Sequence, residues 1–257
     1  MTGEAVALGD CHLRVVPGAG PPLLFLPGAF HGWWAWRFWL ERCEAFGLAA
    51  AALSFPNHTD APSLPEAAFC RLRISDYAAR AAAALRVLED RFGGPGVVVG
   101  HSLGGVVAQL VAAAGASAAL VLVASGGPAA LGVTRPGLYP EDAPLTCSPD
   151  RARELYFADA EPEVVAWAIA RFCPESPGVM NGSGGRAEIP RAAIRCPVLV
   201  VAGAADRTPV VDQARLARHY GAPLLAIPGA GHDLMLERGR DLAFGGMLGW
   251  LRAVAGR

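Results

Sequence analysis

The pentapeptide at residues 100–104, Gly-His-Ser-Leu-Gly, places a serine between two glycines. The apolar run "VVV" before it predicts a strand, and the run "GGVVAQL" after it predicts a helix. At such a corner the hydroxyl of Ser102 is pushed above the sheet, and the free N–H groups of the helix point to where an oxyanion would form. Ser102 is therefore a candidate nucleophile; the alternative is that it merely caps the helix.

A nucleophilic serine needs a base, and the base needs an acid that orients it. Asp206 follows the apolar run "PVLVVAGAA", so we expect it at the carboxyl end of a strand. His232 lies on a glycine-rich loop after the last predicted strand, which gives the order serine, acid, histidine. Asp212 and Asp233 are weaker candidates for the acid because neither directly follows a strand. The alternatives are a helix cap for Asp206 and a structural role for His232.

A tetrahedral intermediate also needs donors for its oxyanion. One candidate is the backbone N–H of Leu103, the residue after the nucleophile. The second should come from the loop after the strand "LLFL", where the N–H of Ala29 is the best candidate. The alternative for Pro27-Gly28 in this loop is a simple turn.

Short apolar runs alternate with helical patterns, which predicts an α/β fold with a mostly parallel, doubly wound sheet. Residues 128–190 break the rhythm with many prolines, two helical stretches and no convincing strand. We therefore expect a core of residues 1–127 and 191–257 and a small helical cap inserted at 128–190. Predicted strands are 12–16, 23–26, 48–54, 97–99, 119–123, 197–202 and 223–227. Predicted helices are 34–46, 75–92, 103–114, 150–158, 161–172, 209–219 and 238–254.

Composition excludes several classes of function. The 257 residues carry a formal net charge of −1 and no basic stripe, so we expect no nucleic-acid or membrane partner. The chain has no lysine, which excludes a Schiff-base or phosphate-loop lysine. The six cysteines are scattered, and the N-terminus has no signal-peptide pattern. We expect free thiols, a cytoplasmic location and a small-molecule substrate, with no metal and no cofactor; the oligomeric state is open.

Four segments together carry a family resemblance: "LFLPGAFHGWWAW", "GHSLGG", "LVVAGAADRTPV" and "PGAGHDLMLE". They resemble the α/β-hydrolase superfamily over essentially the whole chain. The segment "PGAFHGWWAW" is similar to that of the plant methyl-esterase and hydroxynitrile-lyase group and its bacterial esterase relatives. The resemblance implies the α/β-hydrolase fold and a triad of Ser102, His232 and Asp206. It also implies Ala29 and Leu103 as oxyanion donors.

The chain departs from that group at three places. Pro27 stands where the group usually has a histidine. Asp233 follows the catalytic histidine where the lyases have a lysine, which favours hydrolysis over cyanohydrin cleavage. The segment "LSFPNHTDAP" replaces the common D-x-x-G-x-G-x-S loop, so the role of residues 54–62 is open.

Aromatic residues follow the oxyanion turn and recur in the predicted cap. Some of them should anchor the first helix to the sheet, while others should wall a modest, apolar pocket. His31 and His58 lie on loops near the predicted site and are candidates for substrate contact. The expected pocket residues are Phe30, His31, Trp33, His58 and Trp167.

The leading hypothesis is a serine hydrolase that cleaves a small ester, thioester or lactone through an acyl-enzyme on Ser102. A second hypothesis uses the same triad for acyl transfer, lyase chemistry or processing of a natural product. A third is a small-molecule receptor with slow turnover. The sequence does not indicate the substrate, because the pocket shape depends on how the cap folds over Ser102.

Overall fold

A computed structural model describes residues 3–135 and 137–255 and forms a sheet of eight strands. The strands are β1 (Glu4–Leu8), β2 (Cys11–Val16), β3 (Ala19–Leu26), β4 (Leu48–Ser54), β5 (Val97–His101), β6 (Ala119–Val123), β7 (Val198–Gly203) and β8 (Leu224–Ile227). Their order is β1-β2-β4-β3-β5-β6-β7-β8. β2 is antiparallel to both β1 and β4, and every other pairing is parallel. The predicted mostly parallel sheet is confirmed.

The central strands are buried along their whole length. Every residue of β5, β6 and β7 is buried, which explains their continuously apolar sequences. Seven of the strands overlap the predicted apolar runs. β1 was not predicted, because it is an edge strand with mostly exposed residues and its apolar run, "AVAL", is only four residues long.

Helices cover both faces of the sheet. They are α1 (Arg37–Ala45), α2 (Glu66–Cys70), α3 (Ile74–Phe92), α4 (Leu103–Ala113), α5 (Pro149–Tyr156), α6 (Pro162–Ile169), α7 (Pro177–Asn181), α8 (Gln213–Tyr220) and α9 (Arg240–Ala255). One buried cluster joins α1 and α9 to the sheet, and a second joins α3, α4 and α8 to it. Within residues 3–135 and 137–255, no helix combines the length and apolar character that a membrane crossing requires.

Helix ends differ from the predictions for local reasons. The predicted helix 34–46 opens with a 3₁₀ turn at Trp33–Trp36 before α1 begins. The predicted helix 209–219 begins only at Gln213, because the Asp212 carboxylate caps α8 by accepting the Arg215 N–H at 2.6 Å. α2 and α7 were not predicted, since five residues are too few to show a helical period.

The segment between β6 and β7 is helical where the structure describes it. It contains α5, α6 and α7, and its chain pairs with itself in a bridge between Leu145 and Glu175. Trp167 of α6 packs edge-on against Trp34, with ring centroids 5.5 Å apart, and Phe172 stacks on the same ring at 6.0 Å. These contacts seat the segment beside the loop after β3. The division of the chain at residues 128 and 190 stays a prediction.

The corner between β5 and α4 leaves no room for a side chain at three glycine positions. A Cβ at Gly104 would lie 2.4 Å from the Pro27 carbonyl oxygen. A Cβ at Gly100 would lie 2.3 Å from the Gly104 carbonyl oxygen, and one at Gly105 only 2.0 Å from the Ser125 Oγ. The helix therefore rests directly on the backbone of the neighbouring loops.

We expect Gly104→Ala to destabilise the protein by about 2 kcal/mol or more, because the added Cβ would meet the backbone carbonyls of Leu26 and Pro27, which cannot move aside. The matched control is Gly245→Ala, also inside a helix, where an added Cβ meets no atom within 4 Å. That change should stabilise by about 0.5–1 kcal/mol through helix propensity. Urea unfolding of both variants measures the difference, and equal effects would contradict the packing argument.

Candidate active site

Ser102 occupies the turn between β5 and α4 in a conformation rare for a residue with a side chain. Its φ is 51° and its ψ is −114°, and its side chain makes no capping hydrogen bond to the helix. The Ser102 N–H donates to the Val123 carbonyl at 3.0 Å, and the Gly126 N–H donates to the Ser102 carbonyl at 3.0 Å. These bonds hold the strained turn and leave the hydroxyl free of a capping role.

Asp206 and His232 meet at the carboxyl ends of β7 and β8. The Nδ1 of His232 lies 2.8 Å from the Asp206 Oδ2. The Thr208 N–H and hydroxyl donate to the other carboxylate oxygen at 2.8 and 2.7 Å. Burial raises the pKa of Asp206, but hydrogen bonds from His232 and Thr208 outweigh it, so the pKa lies below its ordinary value. The carboxylate stays charged and holds the histidine with Nδ1–H facing it, which leaves Nε2 as the free nitrogen.

A cavity of about 210 Å³ lies beside Ser102 and His232. Ser102 and His232 lie on its wall together with Ala29 and Leu103. Among the described residues the side chains of Ser102 and His232 share no hydrogen bond, and such contacts often tighten only when substrate binds. In the same part of the chain, neither the Ala29 N–H nor the Leu103 N–H has an acceptor. Two free amide donors thus lie beside the serine.

Tyr156, at the end of α5, covers the histidine. Its ring stacks on that of His232, with centroids 5.5 Å apart and planes inclined by 30°. The Asp233 N–H donates to the Tyr156 carbonyl at 2.9 Å, so the segment after β6 is tied to the loop that carries His232. Tyr156 is one of the aromatic residues of the predicted cap, and no sequence signal pairs it with His232.

A buried ion pair joins two loops. One is the loop after β3 (27–32), named the oxyanion loop after its candidate role, and the other is the loop after β8 (228–239) that carries His232, named the histidine loop. The Nδ1 of His31 lies 2.6 Å from the Ala29 carbonyl, which can only accept, and its Nε2 lies 2.9 Å from Asp233 Oδ2. Burial lowers the pKa of His31, but the Asp233 carboxylate and the Ala29 carbonyl more than offset this, and the pKa is raised. His31 is therefore an imidazolium that donates on both sides, to Ala29 and to the residue next to His232.

His101 lies beside His232 and is a neutral ring. Burial, reinforced by the neighbouring His232 and His31, holds the pKa of His101 well below its ordinary value. Its Nε2 lies 3.1 Å from the His232 carbonyl and donates to it. Because the ring is neutral, its 3.6 Å approach to Asp233 is not an ion pair. His101 thus supports the backbone of the histidine loop.

Glu175 holds the oxyanion loop from the opposite side. Its buried carboxylate accepts the Tyr77 hydroxyl at 2.8 Å and the Phe30 N–H at 3.4 Å. The Cys173 N–H donates to the Phe30 carbonyl at 2.8 Å, and Phe30 itself has a φ of 68°. Phe30, the strained residue after Ala29, is therefore held by Cys173 and Glu175 of the predicted cap.

Of the five expected pocket residues, Phe30 lines the cavity. The other four are not among its described lining residues, and each makes other contacts. His31 binds Asp233, and His58 lies 3.3 Å from the Glu175 carboxylate. Trp33 donates to Asp60 at 2.9 Å beneath the Arg14 guanidinium. The guanidinium groups of Arg37 and Arg171 lie 4.7 and 4.5 Å from the centre of the Trp167 ring.

We expect Asp233→Asn to destabilise the protein by roughly 2–4 kcal/mol at pH 6, because it leaves the buried His31 cation without its counter-charge. Because the pKa of His31 is raised in the folded state, its charge stabilises the fold fully below about pH 6.5, and this contribution is lost as the pH rises through the folded-state pKa. The difference in the free energy of unfolding between parent and variant should therefore shrink at higher pH, as urea unfolding from pH 5.5 to 9 would show.

The control for this experiment is Asp241→Asn. Asp241 pairs with Arg42 at 2.7 Å, but both side chains are about half exposed. Its removal should cost less than about 1 kcal/mol and show no such trend with pH. A pH-independent loss in Asp233→Asn would contradict the assignment of charge to His31.

Comparisons with known proteins identify the family and the fold. A model of the alpha/beta hydrolase family matches residues 23–243, and no curated protein matches the chain. The chain is similar to a thermophilic esterase from Thermogutta terrifontis, with a TM-score of 0.74 at 20% identity over 98% of this chain and 99% of that one.

Two further solved structures are similar. An N-acyl homoserine lactonase gives a TM-score of 0.76 at 18% identity over 98% of this chain and 96% of that one. A methylesterase from Arabidopsis gives 0.70 at 18% identity over 93% of this chain and 100% of that one. At these identities the likeness concerns the fold.

The family match begins in β3 and ends in α9, so it includes the Ser102 turn and the loops that carry Asp206 and His232. The predicted fold and the resemblance to the α/β-hydrolase superfamily are confirmed, and proteins of similar structure include esterases. The chain belongs to the alpha/beta hydrolase family.

Proposed function

We propose that this protein hydrolyses small carboxylic esters, with Ser102 as nucleophile, His232 as general base and Asp206 as the orienting acid. The observation that carries the proposal is the 2.8 Å contact between Asp206 and His232 on the wall of the cavity that also holds Ser102. The strained φ of Ser102 supports it further, since such strain is typical of a nucleophile turn.

The first half of the reaction forms an acyl-enzyme. His232 Nε2 takes the Ser102 proton as the oxygen attacks the ester carbonyl, and the Asp206 carboxylate stabilises the imidazolium that results. The free N–H groups of Ala29 and Leu103 donate to the oxyanion. His232 then gives its proton to the alcohol oxygen, and the alcohol leaves.

The second half uses water in place of the alcohol. His232 takes a proton from the water, the hydroxide attacks the acyl carbonyl, and the proton returns to Ser102 as the acid departs. Thioesters and lactones present the same carbonyl to the same groups, so the proposal includes them.

Six free cysteines support a reducing compartment such as the cytoplasm.

We expect Ser102→Ala to lower turnover of a short-chain ester by about a thousandfold or more. A fluorophosphonate probe should add one label to the parent, seen in the intact mass, and none to the variant. The matched control is Ser183→Ala, which removes another serine of the cavity wall. It should keep the label, and a parent that stays unlabelled would sink the proposal and favour a small-molecule receptor.

Thr208 offers a finer test of the triad geometry. Thr208→Val keeps the shape of the side chain but removes the hydroxyl that binds Asp206 and lies 2.8 Å from His232 Nδ1. We expect kcat to fall about tenfold with little change in KM, because a charged hydrogen bond that orients the carboxylate is lost. Thr208→Ser should restore most of kcat, and a loss confined to KM would show that Thr208 only shapes the cavity.

A further inference from the structure

The cavity beside Ser102 is positively charged on the side formed by the segment after β6. Two arginines, Arg135 and Arg151, lie on its wall, and the described lining residues include no aspartate or glutamate. Asp206 lies behind His232, with its oxygens bound to His232 and Thr208. A substrate in the cavity therefore meets two cations on a wall whose described residues carry no carboxylate.

Arg135 has only neutral partners among the described residues. Its guanidinium donates to the carbonyls of Gly137 and Met180 at 2.9 and 2.7 Å and lies 4.0 Å from the centre of the Tyr139 ring. Burial, together with the nearby Arg186, lowers the pKa of Arg135 despite the opposite effect of Tyr139. The charge of Arg135 is thus held in the wall without a counter-ion in this part of the structure.

Arg151 presents a guanidinium that is free to bind. It lies in the first turn of α5, and its side chain forms no hydrogen bond or ion pair with any residue the structure describes. Arg153, two residues further along the same helix, instead pairs with Asp150 at 3.1 Å. The positive end of the α5 dipole adds to the charge at Arg151.

We propose that the cavity takes esters that carry a carboxylate, which Arg151 binds while Arg135 adds to the attracting field. This inference rests on the proposed function and specifies its substrate class. A guanidinium binds a carboxylate through paired, charge-assisted hydrogen bonds. The volume of about 210 Å³ is below the range of about 300–1,000 Å³ for drug-sized ligands, which points to the half-ester of a short dicarboxylic acid. Water then converts it to the dicarboxylic acid and the alcohol.

The test compares two esters of nearly equal shape. Monomethyl glutarate carries the carboxylate, and methyl 5-methylhexanoate replaces it with an isopropyl group. The variants are Arg151→Gln, Arg151→Glu and, as the matched control, Arg153→Gln. Values of kcat/KM for both esters are measured in each protein at low salt and again with added NaCl.

For Arg151→Gln we expect kcat/KM to fall about threefold to tenfold for monomethyl glutarate and less than about twofold for the neutral ester. Arg151→Glu should lower the first value further, and Arg153→Gln should change neither. Added salt should reduce the preference of the parent for monomethyl glutarate over the neutral ester, because the site is partly open to solvent. An unchanged ratio of the two kcat/KM values in both Arg151 variants would overturn the proposal.

A binding measurement separates this inference from the proposed function. Calorimetry should show glutarate binding to the parent at least about threefold more tightly than glutaramide, its neutral counterpart, and the difference should shrink in Arg151→Gln, where only Arg135 remains. Equal binding, or no binding of either, refutes the charged site. If Ser102 takes the fluorophosphonate label but charge has no effect, ester hydrolysis stands without this substrate class. If glutarate binds but no label or turnover is seen, the proposed function fails alone.

Discussion

The left-handed backbone of Ser102 is the constraint around which the rest of the site is arranged. A residue with a side chain adopts that conformation only where its surroundings impose it. Here two backbone hydrogen bonds hold it, from Ser102 to Val123 and from Gly126 to Ser102. Because α4 must begin immediately after the turn, the helix lies against the loop after β3, and Gly104 has no room for a side chain. The same contact brings the Ala29 and Leu103 amides beside the serine.

Buried charges then hold the loops that the strained turn brings together. Removing a charge from water is costly, so a buried carboxylate needs a counter-charge or hydrogen-bond donors. Asp233 binds the His31 imidazolium, and Glu175 binds the Tyr77 hydroxyl and the Phe30 N–H. Each carboxylate therefore reaches the oxyanion loop from a different part of the chain. The loop is restrained at the Ala29 carbonyl and at the Phe30 N–H, which favours a loop that is already ordered before substrate arrives.

The strands, the helices and the candidate triad could be predicted because each leaves a local signal. Continuous apolar runs mark buried parallel strands, and a serine between glycines at a strand-to-helix corner marks the nucleophile. The placement of His31 and His58 could not be predicted in the same way. Their partners, Asp233 and Glu175, are 202 and 117 residues away in the chain, and nothing near either histidine indicates whether it faces the cavity or a carboxylate. The hydrogen bonds from Thr208 to Asp206 could have been predicted, since Thr208 follows Asp206 by two residues, a spacing typical of side-chain turns.

The division of labour between the two parts of the chain follows from these contacts. The sheet and its loops carry the proposed nucleophile, base, acid and amide donors. Buried hydrogen bonds hold the backbone around them, at Ser102 and at Phe30. The segment after β6 supplies Arg135, Arg151 and Tyr156, whose side chains line the cavity from short helices and loops. Substitutions there alter charge and shape without disturbing the strained turn at Ser102. We therefore expect substitutions at Arg135 and Arg151 to change substrate preference more than the proposed chemistry. Glu175 and Tyr156 of the same segment are exceptions, because they contact Phe30 and His232.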